Sequence, residues 1–351
     1  MIRASMRAFL HGLVDYAGLF PPAKLDMAKA VEMFSKHRAS PYAFGLARFV
    51  CPATRLNEFA AAALPYLPTL EAGTPVTPGT KSKPQLGRGS ATSVVVKPLR
   101  LSSKAEAHTP PAESNGQPPT QQPWALSVLI DASLAESLQS IEEFNQSHYR
   151  NHHYSALVDT VEIKVVTPDA IDYALDHLPE DLFPFFEIPP ATDMRPFAAE
   201  LAGTGAGAKM RTGGISGDLI PSIEQVADFL MPMAAARVPV KCTAGLHHPL
   251  RSLQPLTYEA DCAAATMHGF INVFLAACVL HELDVDRATA LHLLGETDAK
   301  SFVFDDEGVT WRGLRISTER IAEAREGFAH CFGSCSFDDP ITDLKKLGLL
   351  S

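Results

Sequence analysis

Between residues 126 and 243, short runs rich in β-branched and aromatic residues alternate with stretches of helical length, and this limits the fold more than any other feature. The strand segments read as 126–131, 161–166, 183–188, 208–211 and 238–243, with helices at 134–148, 169–177, 193–201 and 221–235 between them. Strict succession of strand and helix means parallel strands joined by crossover helices. Segment 45–51 adds another strand, followed by an alanine-rich helix ending near Leu64, and 27–37 has helical periodicity. The predicted fold is an α/β, TIM-like (β/α)8 barrel, regular or irregular, whose remaining strands are expected from the N-terminus and from around Ser301. An open doubly wound sheet would announce a nucleotide site with a glycine-rich first turn, and no G-x-G-x-x-G or P-loop follows the strand of Arg48 or that of Leu126. Further on, helices are expected at 267–282 and 287–294, a hairpin at 302–311 and a last helix at 319–331.

Residues 67–123 break this rhythm. Pro, Ser, Thr, Gly and Gln dominate there, so the segment buries too little apolar surface to offset its ordering entropy. It is predicted to be a disordered insertion, with 93–96 its one strand-like piece. The chain therefore divides into an N-terminal part of the barrel (1–66), the insertion (67–123) and the remainder of the barrel with the hairpin and last helix (124–351).

Charges recur where these strands end: Arg48, Asp131, Glu162 with Lys164, Glu187, Lys209 with Arg211, and Lys241 with Thr243. Barrels keep their chemistry at the C-terminal ends of their strands, and strand alternation puts Lys209 and Arg211 on one face and Lys241 and Thr243 on one face. If the strands are neighbours, two ammonium groups and a guanidinium meet, and mutual repulsion with burial favours a neutral lysine. A neutral lysine attacks carbonyls, and the resulting iminium allows carbon–carbon bonds to be made or cut without a metal. Lys209 is the expected nucleophile and Lys241 its tuning neighbour, with Glu187 or Glu162 carrying protons. Arg48, Lys164, Arg211 and Thr243 are expected to bind substrate. A formal net charge of -10 makes this concentration of cations more telling, and points to a small anionic substrate.

Lys209-Met210-Arg211-Thr212-Gly213-Gly214, followed a helix later by Val240-Lys241-Cys242-Thr243-Ala244-Gly245, resembles the paired lysine strands of class I aldolases of the deoxyribose-phosphate aldolase type. The resemblance covers about forty residues. It implies that Lys209 forms the Schiff base, that Lys241 tunes it, and that the glycines line a phosphate site. The chain departs from the pattern at Leu246-His247-His248-Pro249-Leu250-Arg251, and no clear phosphate-binding strand follows.

Thr212, Gly213 and Gly214 lead to a helix expected from Pro221, whose N-terminus would offer free N–H groups to an anion; an ordinary turn is the alternative. His247 and His248 are adjacent on an extended segment, so one faces the pocket and the other packs away. Substrate contact, acid–base work and loop structure compete as roles for them. Asp15, a single acid in an apolar run, reads first as a cap or turn residue. His268 and Asn272, among apolar neighbours, read as core. No cofactor is expected for the lysine mechanism. The alternatives are a metal-dependent barrel lyase, isomerase or hydrolase with Glu187, His247 and Glu162 around a divalent ion, and a non-catalytic metabolite-binding barrel whose charges are structural ion pairs.

Six cysteines show no CxxC pair, which predicts reduced, mostly buried thiols. The first 19 residues lack an apolar core of signal-peptide length, the apolar run at 270–280 is too short to span a bilayer, and no basic tract suggests nucleic acid. The expected location is the cytoplasm, with no membrane or nucleic-acid partner; a homo-oligomer and a monomer remain open.

Overall fold

The computed structural model describes residues 2–68, 122–150 and 156–350. The expectations for the 67–123 insertion and its 93–96 strand fall almost wholly outside the described residues.

Eight parallel strands close a barrel: β1 (Val14–Tyr16), β2 (Leu46–Pro52), β3 (Trp124–Leu129), β4 (Ala156–Lys164), β5 (Phe183–Glu187), β6 (Gly207–Arg211), β7 (Val240–Thr243) and, late in the chain, β13 (Ala329–Ser334). Among the described residues, five strands lie outside it. An antiparallel pair, β8 (Ser252–Pro255) and β9 (Ala264–Met267), follows β7, and a three-stranded antiparallel sheet, β10 (Phe302–Phe304), β11 (Gly308–Trp311) and β12 (Leu314–Ser317), precedes the last barrel strand. The helices are α1 (Ala4–Leu10), α2 (Met27–Arg38), α3 (Leu56–Ala63), α4 (Leu134–Asn145), α5 (Asp169–His177), α6 (Met194–Leu201), α7 (Ile223–Ala235), α8 (Phe270–Glu282), α9 (Arg287–Gly295), α10 (Thr318–Gly327) and α11 (Asp338–Lys346). This is the TIM-like (β/α)8 barrel that the alternation predicts.

Two expectations are corrected. The closing strand does not come from the region of Ser301, whose residues form the outer sheet β10–β11–β12. It comes from 329–334, inside and beyond the helix expected over 319–331. That helix stops at Gly327, and Ala329–Ser334 then pairs with β1 and β7. Arg48 is the third residue of seven-residue β2, toward the strand's N-terminal half, and so is not at the C-terminal end of the barrel.

Strand faces follow the alternation of the sequence. Phe49 of β2 and Trp124 of β3 point outward, where they meet Phe34 of α2 and Phe59 of α3. Phe185 of β5 points inward, and a Cβ at Gly207 would stand 2.5 Å from its ring, so β6 needs glycine there. Below the rim, Arg48 holds Asp159 of β4 through Nε at 2.6 Å and Nη2 at 2.8 Å. Helix α8 is buried at every position from Phe270 to Val279, as expected of a helix apolar on all sides. His268 and Asn272 are core groups: His268 Nε2 lies 2.7 Å from the Pro221 carbonyl, and Asn272 Nδ2 donates to Leu293 and Glu296 carbonyls at 2.8 Å each. All six cysteines are free thiols and only Cys262 is not buried. Among the described residues, no helix is long and apolar enough to cross a membrane.

Candidate functional site

Register decides whether the two lysines meet. Lys209 of β6 is the Cα partner of Lys241 of β7 on one side and of Glu187 of β5 on the other, and Glu187 is the partner of Lys164 of β4. Partners in a parallel ladder point to the same face, so these side chains enter the barrel together. Glu162, two residues before Lys164, shares that face.

Inside, the charges alternate along one continuous row. Lys209 Nζ binds Glu162 and, at 2.6 Å, Glu187 Oε2; Glu162 Oε1 accepts from Lys241 Nζ at 2.7 Å; Lys241 Nζ also binds Asp15 of β1. Ser127 of β3 donates to Glu162 Oε1 at 2.6 Å and accepts from Lys241 Nζ at 3.2 Å. Asp15 further accepts from the Arg48 backbone N–H at 3.0 Å and from the Cys331 thiol at 3.3 Å. The lysines therefore do not confront one another bare, because a carboxylate stands between them.

The two lysines differ in how fully they are bound. Lys241 is 0% exposed, and its three partners Asp15, Glu162 and Ser127 take up all three of its N–H donors. Burial pushes its pKa down, but Asp15 and Glu162 outweigh burial and hold it well above the ordinary lysine range. Lys209, 2% exposed, has two partners among the described residues, Glu162 and Glu187, one fewer than its N–H donors, and the Glu187 side chain is 12% exposed, so the row is most open at this end. Burial raises the Glu162 pKa, yet the two lysines hold it well below the carboxylate range. The Cys331 thiol is pushed up to about 12 by burial and Asp15.

At the rim, Lys164 makes no ion pair or hydrogen bond among the described residues, and Arg211 makes one contact, Nη2 to the Gly213 carbonyl at 3.5 Å. Thr243 is half-buried beside Gly333, where a Cβ would stand 3.0 Å from its hydroxyl. Thr212 is spent on structure, its hydroxyl donating to the Ala244 carbonyl at 2.7 Å. Gly213 and Gly245 pack backbone on backbone: a Cβ on either would lie within 2.8 Å of the other's Cα. A Cβ at Gly214 would meet Leu219 at 2.5 Å. Helix α7 begins at Ile223 rather than Pro221, and its end is closed by a capping box in which Ser222 and Gln225 satisfy each other's backbone N–H.

His247 and His248 stand apart from the lysine row. They line a cleft of about 190 Å³ with Pro22, Tyr258, Asp339 and Lys346. His247 lies 3.3 Å from Ser334 Oγ and 3.8 Å from Cys335 Sγ, and burial pushes its pKa down to about 4, so it is neutral at pH 7. His248 Nδ1 lies 2.6 Å from Asp343. Among the described residues, no group of three or more His, Cys, Asp or Glu side chains is placed to hold a metal ion.

Asp15, Ser127, Cys331 and Asp159 were not among the expected site residues. The signal for Asp15 was its isolation in the apolar run Leu13-Val14-Asp15-Tyr16-Ala17; nothing in the local pattern marks the others. Compared with protein-family models, curated proteins and solved structures, the chain finds no match in any of the three.

Proposed function

We propose that the protein is a lyase of the aldolase type, in which Lys209 forms a Schiff base with a small anionic carbonyl compound at the C-terminal mouth of the barrel. The observation that carries this is the inequality of the lysines: Lys241 is saturated and locked as a cation, whereas Lys209 has one partner fewer than its N–H donors among the described residues and touches a carboxylate at the most open end of the row.

The chemistry closes on these residues. The Lys209 ammonium gives a proton to Glu187, and the freed amine adds to the substrate carbonyl carbon. Glu187 returns that proton to the carbinolamine hydroxyl, which leaves as water, and an iminium remains. The β-hydroxyl then loses its proton to Glu187 as the adjoining carbon–carbon bond breaks and its electron pair moves into the iminium. An aldehyde departs and an enamine is left. Protonation at carbon and hydrolysis return the amine. Lys241, fixed by Asp15, keeps positive charge beside Glu162 and so weakens the hold of that carboxylate on the Lys209 proton.

Borohydride trapping with small aldehydes and keto acids, read by peptide mass spectrometry, tests this. A reduced adduct on Lys209 that vanishes in Lys209→Arg supports the mechanism. Labelling confined to other lysines, or none, overturns it. A Lys209→Met variant that binds metabolites and keeps its stability unaltered would favour a non-catalytic barrel.

A further inference from the structure

Resting on the lyase reading, we infer that the substrate is an unphosphorylated 2-oxo acid, whose carboxylate is held by Arg211 and Lys164 directly beside the carbonyl that Lys209 attacks.

The cations free to bind an anion are close to the nucleophile. Arg211 lies two residues beyond Lys209 on the same face of β6, about 7 Å along the strand, and Lys164 lies two strands away in the same ladder row, about 10 Å across. Arginine and lysine side chains are long enough to bring both charged heads over the Lys209 amine. An anion held there is separated from the reacting carbonyl by one or two bonds, which describes a carboxylate on the adjacent carbon. The guanidinium fork of Arg211, with one weak protein contact at 3.5 Å, is free to take such a carboxylate in bidentate fashion.

The places where a barrel would hold a more distant phosphate are filled or acidic. Phosphate sites in this architecture use the loops after the last two strands and the N-terminus of a nearby helix. Here the loop after β7 is locked at Gly245 against Gly213, and at the N-terminus of α7 the Ser222 and Gln225 side chains already occupy each other's backbone N–H. The chain leaving β13 enters α11, whose first turn carries Asp338 and Asp339. Asp339 has the Tyr258 hydroxyl at 2.8 Å, and its nearest histidine, His247, is neutral. Lys346, the cation of that cleft, is bound to Asp343 at 2.8 Å. A phosphate dianion would meet net negative charge on this side of the mouth.

The test is saturable borohydride labelling of Lys209 with pyruvate, glyoxylate, acetaldehyde and glyceraldehyde 3-phosphate, with inorganic phosphate as competitor. Pyruvate and glyoxylate are expected to half-saturate at concentrations at least about tenfold below acetaldehyde, a difference of about 1.4 kcal/mol. Arg211→Met should erase most of that preference, and Arg211→Lys should restore part of it, which separates a lost contact from a misfolded chain. Equal labelling by pyruvate and acetaldehyde, stronger labelling by the phosphorylated aldehyde, or competition by phosphate would each overturn the 2-oxo acid assignment while leaving the Schiff base intact. Failure of every probe to label Lys209 overturns the lyase reading and this assignment with it.

Discussion

The interior row and the rim hold the same kinds of side chain under opposite conditions. From Asp15 through Lys241, Glu162 and Lys209 to Glu187, each charge touches an opposite one; at the rim, Lys164 and Arg211 have no carboxylate partner among the described residues. A buried charge without a partner costs several kcal/mol, so the interior had to be composed as a set. At the rim water solvates the cation at small cost, and the charge stays available to a ligand. The difference teaches that neutralised and solvent-facing charges occupy neighbouring positions on one face of the same strands: Glu162 and Lys164 are two residues apart, as are Lys209 and Arg211.

The hardest blow to this comparison is Glu162→Gln. It removes the carboxylate shared by both lysines while keeping shape, and leaves Lys209 and Lys241 each short of a counter-charge. Breaking a buried pair typically costs about 3–5 kcal/mol. Urea unfolding of the two proteins measures it, and a loss under about 1 kcal/mol would show that the row is not held by its charges.

Much of this was legible in the sequence, for identifiable reasons. The strands from 124 to 243 carry dense apolar patterns between turn residues, so the barrel and the shared face of Lys209 and Lys241 could be read, four of the five strands to within two residues and β4 with its start five residues late. Strand β1 is three residues long, too short for any period. Strand β13 follows α10 after one residue, and Ala329-His330-Cys331-Phe332 fits a helix as well as a strand; what makes it a strand is pairing with Val240 and Val14, residues far away in the chain. For the same reason Asp15 looked like a cap: its partner Lys241 lies 226 residues on. For the glycines after β6 the sequence leaves an anion site and an ordinary turn equally open, and the contact of Gly213 with Gly245, between two loops that no local pattern links, explains Gly213 structurally.

His247 offers a middle-sized test at the edge between the two regions. It is buried, and its nearest carboxylate, Asp339 at 3.9 Å, only partly offsets the cost of burying a positive charge. Its pKa of about 4 lies below the ordinary 6.5, so between these pH values the unfolded chain binds more protons than the folded one. Stability is therefore highest above pH 6.5 and falls as the pH drops toward 4, by up to about 3 kcal/mol. Chemical unfolding at several pH values should show this slope, and His247→Gln should flatten it. An unchanged slope in the variant would mean that carboxylates of the row carry the whole acid response.

The smallest expected effect on stability is the most discriminating. Lys164→Met removes an exposed cation that has no ion pair or hydrogen bond among the described residues, so the folding free energy should move by no more than about 0.5 kcal/mol. The same substitution should weaken the saturable labelling of Lys209 by pyruvate severalfold, because the anion loses one of its two unpaired cations. Were Lys164→Met instead to cost as much as Glu162→Gln, Lys164 would belong to the interior row through Glu187, its neighbour in the ladder. Glu187 would then be neutralised from both sides and poorly able to take the Lys209 proton, so a single unfolding curve on this exposed lysine bears on the proton path as well as on substrate recognition.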